Sequence, residues 1–369
     1  RSTMRTLIEA CCETKVDSSY QNINKASFNG NPSMKKEAMF WKPLSKQTVQ
    51  CFLCPHHCII GPEKTGVCGV RKNEHGRLFS LIYQACSSIA VDPIEKKPLY
   101  HFYPGTQVFS LGSVGCTFRC DHCQNYNISM ARPEDLSLRE LPAEELAGIA
   151  LGHGCRGVAW TYNEPTIWHE YTLEAAKAVK QAGLYTVYVT NGYIEDEPLK
   201  EIAPYLDAMN VDVKAFHPEF YQKICKAKLA PVLHTCEHAK NLGIHLELTY
   251  LVIPGLNDAA EEIKEFCHWI RETLGADIPV HFSRFHPDYK MTDLAATPLP
   301  TLLACRTIAT EVGLRFVYLG NIGHSDYDNT YCPSCKNLLV ERYGFSANIK
   351  GLAQRKCTKC GTLIPLRMG

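Results

Sequence analysis

The 369-residue sequence predicts an α/β protein: a parallel sheet with crossover helices and a small cysteine-rich segment at each flank. Three observations predict it. From about residue 108, strand-like apolar runs alternate with helical stretches through six or seven β-then-α units, and that alternation folds as a parallel sheet with helices on its faces. The distinctive polar residues fall at the C-terminal ends of the strand-like runs, where such folds place their chemistry. Eleven of the nineteen cysteines sit in three tight clusters, two of which lie outside the alternating region.

Taken in order, residues 1–33, with "NINKASFNGNPS", are polar and aperiodic. They are expected to be a leader or disordered tail, and Cys11 and Cys12 go with them. Residues 34–105 form an N-terminal segment around Cys51, Cys54, Cys58 and Cys68. Its last part, "DPIEKKPLYHFYPG" (Asp92 to Gly105), either covers the mouth of the barrel and touches substrate or packs as a joint to the barrel. Residues 106–325 hold the alternating region: "VFSLGSVG", "GVAWTYNEP", "LYTVYVTNG", "AMNVDVKA", "HLELTYLVIPG", "IPVHFSRFHP" and "RFVYLGN" as strands, with helical stretches such as "DAAEEIKEFCHWIRETLG" between them. Residues 326–369 form a C-terminal domain around two C-x2-C knuckles.

Composition narrows the function classes. The formal charge of +1 argues against a protein that coats nucleic acid. No run of 18 apolar residues predicts a membrane span, and the first residues show no secretory h-region. Clustered cysteines in a long chain favour metal ligation in a reducing compartment over disulfides, so a cytoplasmic location is expected. The scattered cysteines, among them Cys86, Cys155, Cys225, Cys267 and Cys305, are expected to be small buried hydrophobes.

The central cluster, "GCTFRCDHCQN", places Cys116, Cys120 and Cys123 in a C-x3-C-x2-C spacing directly after a strand. Iron–sulfur cubanes usually take four thiolates. Three leave one iron open, and an open metal position marks reactivity. The flanks differ. Cys51, Cys54, Cys58 and Cys68 make a complete set within 18 residues, for zinc or for an auxiliary iron–sulfur cluster. Cys332, Cys335, Cys357 and Cys360 have the C-x2-C-x21-C-x2-C spacing of a zinc ribbon, or of a single rubredoxin-like iron, with "LLVERYGF" as a hairpin arm.

The central spacing resembles that of the radical S-adenosylmethionine (SAM) superfamily. The resemblance implies a partial (β/α)6 barrel, a 4Fe–4S cluster on Cys116, Cys120 and Cys123, and SAM on the open iron. It further implies an oxidoreductase-type chemistry in which one electron cleaves SAM to methionine and a 5′-deoxyadenosyl radical. "YNEP" stands where relatives carry Gly-Gly-Glu-Pro, which assigns Asn163 and Glu164 to the methionine amino group. "DVK" is similar to the Asp-x-Lys of glycyl-radical-enzyme activases and assigns Asp212 and Lys214 to the ribose and carboxylate side of SAM. His122 takes the place of an aromatic residue that stacks on adenine, and His286 is a further SAM contact. "LVIPGLND" resembles the segment that packs against adenine.

From about residue 50 the chain also resembles AmmeMemoRadiSam-type proteins, which are described as pyruvate formate-lyase-activating-enzyme-like. "CFLCPHHCIIGPEKTGVCGVRKNEHG", "DPIEKKPLYHFYPGTQVFSLGSVGCTFRCDHCQN", "YNEPTIWHEY" and the C-terminal knuckles carry that likeness. It implies Memo-like and AMMECR-like proteins as partners, with a ferredoxin or flavodoxin as electron donor. The expected function is therefore hydrogen abstraction from a substrate that no motif names. The alternatives are activation of a glycyl-radical enzyme and a non-catalytic iron–sulfur or zinc scaffold; a ribbon-docked nucleic-acid modifier is disfavoured by the neutral charge.

Overall fold

The structure, a computed structural model, describes residues 34–323 and 325–368. The expected leader, with Cys11 and Cys12, lies outside the described residues. Eight strands form the central sheet: β1 (Ser88–Pro93), β2 (Gln107–Gly112), β3 (Gly157–Trp160), β4 (Tyr185–Thr190), β5 (Ala208–Asp212), β6 (His245–Val252), β7 (Val280–Arg284) and β8 (Val317–Gly320). Strands β2 to β8 run parallel and pair in chain order, while β1 is antiparallel to β2. The edges β1 and β8 do not pair with each other, so the barrel is open.

Six crossovers join the parallel strands and carry α1 (Leu146–Gly152), α2 (His169–Gln181), α3 (Asp196–Ile202), α4 (Leu229–Asn241), α5 (Ala260–Trp269) and α6 (Leu299–Val312). This is the α/β partial barrel that the alternation predicts. The strands read as continuous apolar runs because both faces are covered; every residue of β3 is buried. Helix α5 buries Ile263, Phe266 and Cys267, with Ile270 one turn on, which is the spacing of a single apolar stripe. Each such aliphatic or aromatic side chain contributes about 1.5–3 kcal/mol when fully buried.

The antiparallel edge strand β1 was not expected. Asp92 and Pro93 end it, and the rest of the Asp92–Gly105 segment turns back beneath the sheet. Ile94, Leu99 and Phe102 pack on Val108, Ala159, Val187 and Ala208, residues that share the inner face of the barrel. Glu247, buried on β6, accepts the backbone N–H groups of Tyr100 and His101 at 3.0 and 2.7 Å. Its carboxylate also meets His245 and His281 at 3.1 and 2.7 Å. Burial works to raise its pKa, but the two imidazoles more than offset that and hold it below the usual carboxylate range. The segment is thus a plug in the barrel floor, held by a charged anchor.

The C-terminal flank forms the expected hairpin, Leu338–Tyr343 against Ser346–Ile349. It also grips the plug. Arg342 donates to the Tyr100 carbonyl at 2.7 Å, and Arg367 exchanges backbone hydrogen bonds with His101 and Tyr103, each at 2.8 Å. The N-terminal flank is built from short antiparallel strands, Trp41–Pro43, Val49–Cys51 and Ile59–Ile60. Among the described residues, no helix is long and apolar enough to cross a membrane.

Candidate active site and metal centres

The C-terminal ends of β2 to β6 converge on a cavity of about 520 Å³. Cys116, Cys120 and Cys123 line it, together with His122, Asn163, Glu164, Asp212 and Lys214. Five of the six side chains expected to contact SAM therefore face the same space as the three sulfurs. The sixth, His286, is outside the lining and meets Gln124 on the rim at 3.0 Å.

The cysteine loop is fixed by backbone donors and by side chains from neighbouring strand ends. The Phe118 N–H and the Asn191 amide approach the Cys116 sulfur at 3.4 and 3.6 Å. Cys225, a residue with no solvent exposure, interacts with Cys120, and that interaction, then burial, raises the Cys120 pKa. Burial likewise pushes the Cys116 thiol far above its ordinary value. Thiolates in such a place need a cation to balance them, which an iron–sulfur group supplies. The three sulfurs of this loop do not all lie within 4.8 Å of one another, so they are not drawn together around a single ion. The residues present fit a cluster and, beside it, an amino acid headgroup.

The polar residues divide into two kinds. Asn163 is used by the protein: its Oδ1 accepts the Ser113 N–H at 3.0 Å and its Nδ2 donates to the Gly115 carbonyl at 3.0 Å. It therefore shapes the cysteine loop. Glu164 accepts from Thr166 N, Thr190 Oγ1 and Asn191 N at 3.0, 2.7 and 2.8 Å. These bonds lock its carboxylate across two strand ends and leave lone-pair capacity for one ammonium donor. Burial raises its pKa, and the three donors oppose that rise. Asp212 and Lys214, two residues apart, form an ion pair at 2.6 Å. Burial disfavours the Lys214 charge, but Asp212 and Cys120 outweigh it, so the ammonium persists. His122 is buried and brought down to about 3 by burial, then by Lys214. It stays neutral, and its Nδ1 has no protein partner.

Tyr162 replaces a glycine expected at that position and adopts φ +72°, a left-handed conformation that costs a non-glycine residue about 1 kcal/mol or more. Its hydroxyl donates to Asp92 at 2.6 Å, and the Lys97 ammonium lies 4.6 Å from its ring centre. Lys97 pairs with Asp92 at 2.6 Å. Burial lowers Lys97 to about 8 against the pull of Asp92. The plug thus brings Lys96 and Lys97 to the cavity wall. The sequence pointed to this segment but not to these residues. Asn191 stands at the polar end of the strand-like run "LYTVYVTNG", as the expected site residues do at theirs, but its contact with Cys116 carried no local signal, and neither did Cys225.

The two flanking sets differ in width. Cys332, Cys335, Cys357 and Cys360 place all four sulfurs within 4.8 Å of one another, with Cys332–Cys360 at 3.5 Å and Cys335–Cys357 at 3.6 Å. A tetrahedral ion at a Zn–S distance of about 2.3 Å sets its sulfurs about 3.8 Å apart, so this set matches a single ion. Cys51, Cys54, Cys58 and Cys68 line one cavity in the N-terminal flank, but no three of their sulfurs come within 4.8 Å of one another. The six scattered cysteines among the described residues, Cys86, Cys155, Cys225, Cys236, Cys267 and Cys305, are all buried, as expected.

Comparison with known proteins agrees with this geometry. Residues 111–270 match the family model of the radical SAM superfamily. The chain is 46% identical to the uncharacterized protein MJ0808 of Methanocaldococcus jannaschii, over 90% of this chain and 99% of that one. It is 23% identical to the pyruvate formate-lyase-activating enzyme of Clostridium pasteurianum, over 49% of this chain and 81% of that one. Among solved structures it is similar to a radical SAM methyltransferase from Sphaerobacter thermophilus: 16% identity, TM-score 0.46, 59% of this chain and 67% of that one. With a cysteine triad on the loop after β2 and a match that runs from the end of β2 through α5, this chain belongs to the radical SAM superfamily.

Proposed function

We propose that the protein is a radical SAM enzyme that cleaves S-adenosylmethionine reductively and abstracts a hydrogen atom from a substrate. One observation carries the reading: the three sulfurs of Cys116, Cys120 and Cys123 open into the same cavity as the Glu164 carboxylate and the Asp212–Lys214 pair. A 4Fe–4S cluster and SAM, when bound, supply the electron and the 5′-deoxyadenosyl radical. The chain's residues supply position. Cys116, Cys120 and Cys123 would hold three irons, and Asn191 orients the first of those sulfurs. Glu164 accepts the methionine ammonium. Lys214 faces the methionine carboxylate, and Asp212 the ribose. The neutral ring of His122 is available to stack on adenine. The buried walls keep water from a reactive intermediate.

An external one-electron donor of the ferredoxin or flavodoxin class is required, and Memo-like and AMMECR-like proteins are candidate partners. A second reading, activation of a glycyl-radical enzyme, is favoured by the names of two relatives. These are the Clostridium enzyme and the (2S)-3-sulfopropanediol dehydratase activating enzyme of Klebsiella oxytoca, 25% identical over 33% of this chain and 38% of that one. The decisive experiment is anaerobic. The reconstituted, reduced protein is given SAM, and 5′-deoxyadenosine is measured. Formation that disappears in Cys116→Ala, Cys120→Ala and Cys123→Ala supports the reading. No product from a protein with a full cluster overturns it.

A further inference from the structure

We infer that Cys51, Cys54, Cys58 and Cys68 hold a second, polynuclear iron–sulfur cluster, whereas the C-terminal cysteines hold a single ion. The inference rests on spacing within one chain. The C-terminal sulfurs have closed to the contact distances of a mononuclear tetrahedral site. The N-terminal cysteines line one shared cavity, and no three of their sulfurs have closed to within 4.8 Å. In that respect they match the central triad, which the proposed function reads as ligands of a multi-iron group, and the inference rests on that reading.

Three further features fit. A space of about 10 Å³, room for one water-sized sphere, remains between the N-terminal side chains. A contracted tetrahedral set leaves no such space. A cubane is larger still, so loading one would require the loops that carry the partly exposed Cys54, Cys58 and Cys68 to move apart. The donor chemistry also favours an anionic group. Arg71 is buried, its Nη1 lies 3.6 Å from the Cys51 sulfur, and its Nε has no protein partner. Hydrogen bonds to cluster sulfurs are a recognised device for setting the potential of such groups. Four thiolates leave no iron open, so this group carries electrons and does not bind SAM.

The cluster would sit beside the catalytic loop. The Cys68 carbonyl packs on Gly115, and His56 Nε2 lies 2.7 Å from the Thr117 carbonyl.

The test measures metal content, not turnover. The full chain, reconstituted anaerobically, is analysed for iron, acid-labile sulfide and zinc, and by Mössbauer spectroscopy. Its counterpart with Cys116, Cys120 and Cys123 all changed to Ala is treated in the same way. The inference expects about eight irons in the first and about four, with matching sulfide, in the second. It also expects that second signal to vanish when Cys54→Ala and Cys58→Ala are added. A triple variant with no sulfide and about two zincs per chain overturns the inference. Should the triple variant fail to fold, the unaltered chain decides: about four irons with two zincs overturns, and about eight irons supports. Either result leaves the radical SAM reading to its own experiment, because product formation and N-terminal metal content are read separately.

Discussion

The carbonyl of Cys225 accepts the Arg119 N–H at 3.0 Å, and its buried side chain interacts with Cys120 so as to raise that thiol's pKa. A cysteine from the helical turn between β5 and α4 therefore braces the Cys116–Cys123 loop from behind through its carbonyl. Removing the thiol in Cys225→Ala should leave the iron and sulfide content of the protein intact. Were Cys120 bound to iron, the Cys225 S–H would be the one thiol proton of the pair and a donor to that sulfur, so its loss should shift the reduction midpoint of the central cluster to a more negative value. Cys225→Ser, which keeps a donor, should stay near the parent value. An unchanged midpoint in Cys225→Ala, read by EPR-monitored titration, would reduce the contact to packing.

Gly115 is the second constraint on that loop. Its φ of +86° is left-handed, and a Cβ there would lie 2.5 Å from the Cys68 carbonyl oxygen and 2.8 Å from Val70 Cγ1. Both the conformation and the space demand glycine. Gly115→Ala should cost on the order of 3 kcal/mol and lower metal content, because the two cysteine loops must move apart. Denaturant unfolding and iron analysis would check this; a variant of parent stability with full metal would refute the close approach.

The ion pair between Arg71 and Glu170 is almost wholly buried, with side-chain exposures of 2% and 1%. It joins the N-terminal flank to α2, and Glu170 also accepts the Met39 N–H at 2.7 Å. Arg71→Met should destabilise by about 3–5 kcal/mol by leaving a buried carboxylate unpaired. Adding Glu170→Gln removes that charge and keeps an acceptor for Met39, so the double variant should recover much of the loss. A double variant no better than the single one would count against this account.

Acid stability should depend on His101. Burial brings this imidazole from its ordinary 6.5 down to about 3, and its Nε2 lies 2.7 Å from the Tyr318 hydroxyl. The folded pKa is depressed, so the unfolded chain binds the proton first. The associated stability is complete above about pH 6.5 and drains away as pH falls toward about 3, with a limiting slope of about 1.4 kcal/mol per pH unit. His101→Asn should flatten that acid limb in denaturant melts from pH 7 to pH 4. A parallel limb in the variant would assign the loss to other groups.

Much of the site was legible in the sequence because it is local. Cys116, Cys120 and Cys123 lie within eight residues, and Glu164, Asp212 and Lys214 each follow a strand whose apolar run announces it. The parallel order of the barrel then brings their ends together. What was not legible is whatever depends on chain crossings. Strand β1 ends in "VDP" before a charged stretch, with too little apolar character to declare a sheet edge. Asn163 carried the pattern of a ligand contact, yet its amide is occupied by Ser113 and Gly115. Cys225 resembles any buried cysteine until the fold sets it against Cys120. The widths of the two four-cysteine sets also lie beyond sequence, since spacing along the chain says little about spacing between sulfurs.

The grip of Arg342 and Arg367 on the plug at Tyr100, His101 and Tyr103 sets the order of assembly. A ribosome makes the plug first and its clamps more than two hundred residues later, after the last barrel strand. Until those clamps emerge, Lys97 and the cavity floor lack their final support. The chain therefore completes this cavity only after the module that carries Arg342 and Arg367 has been made, and that module acts as a closing latch.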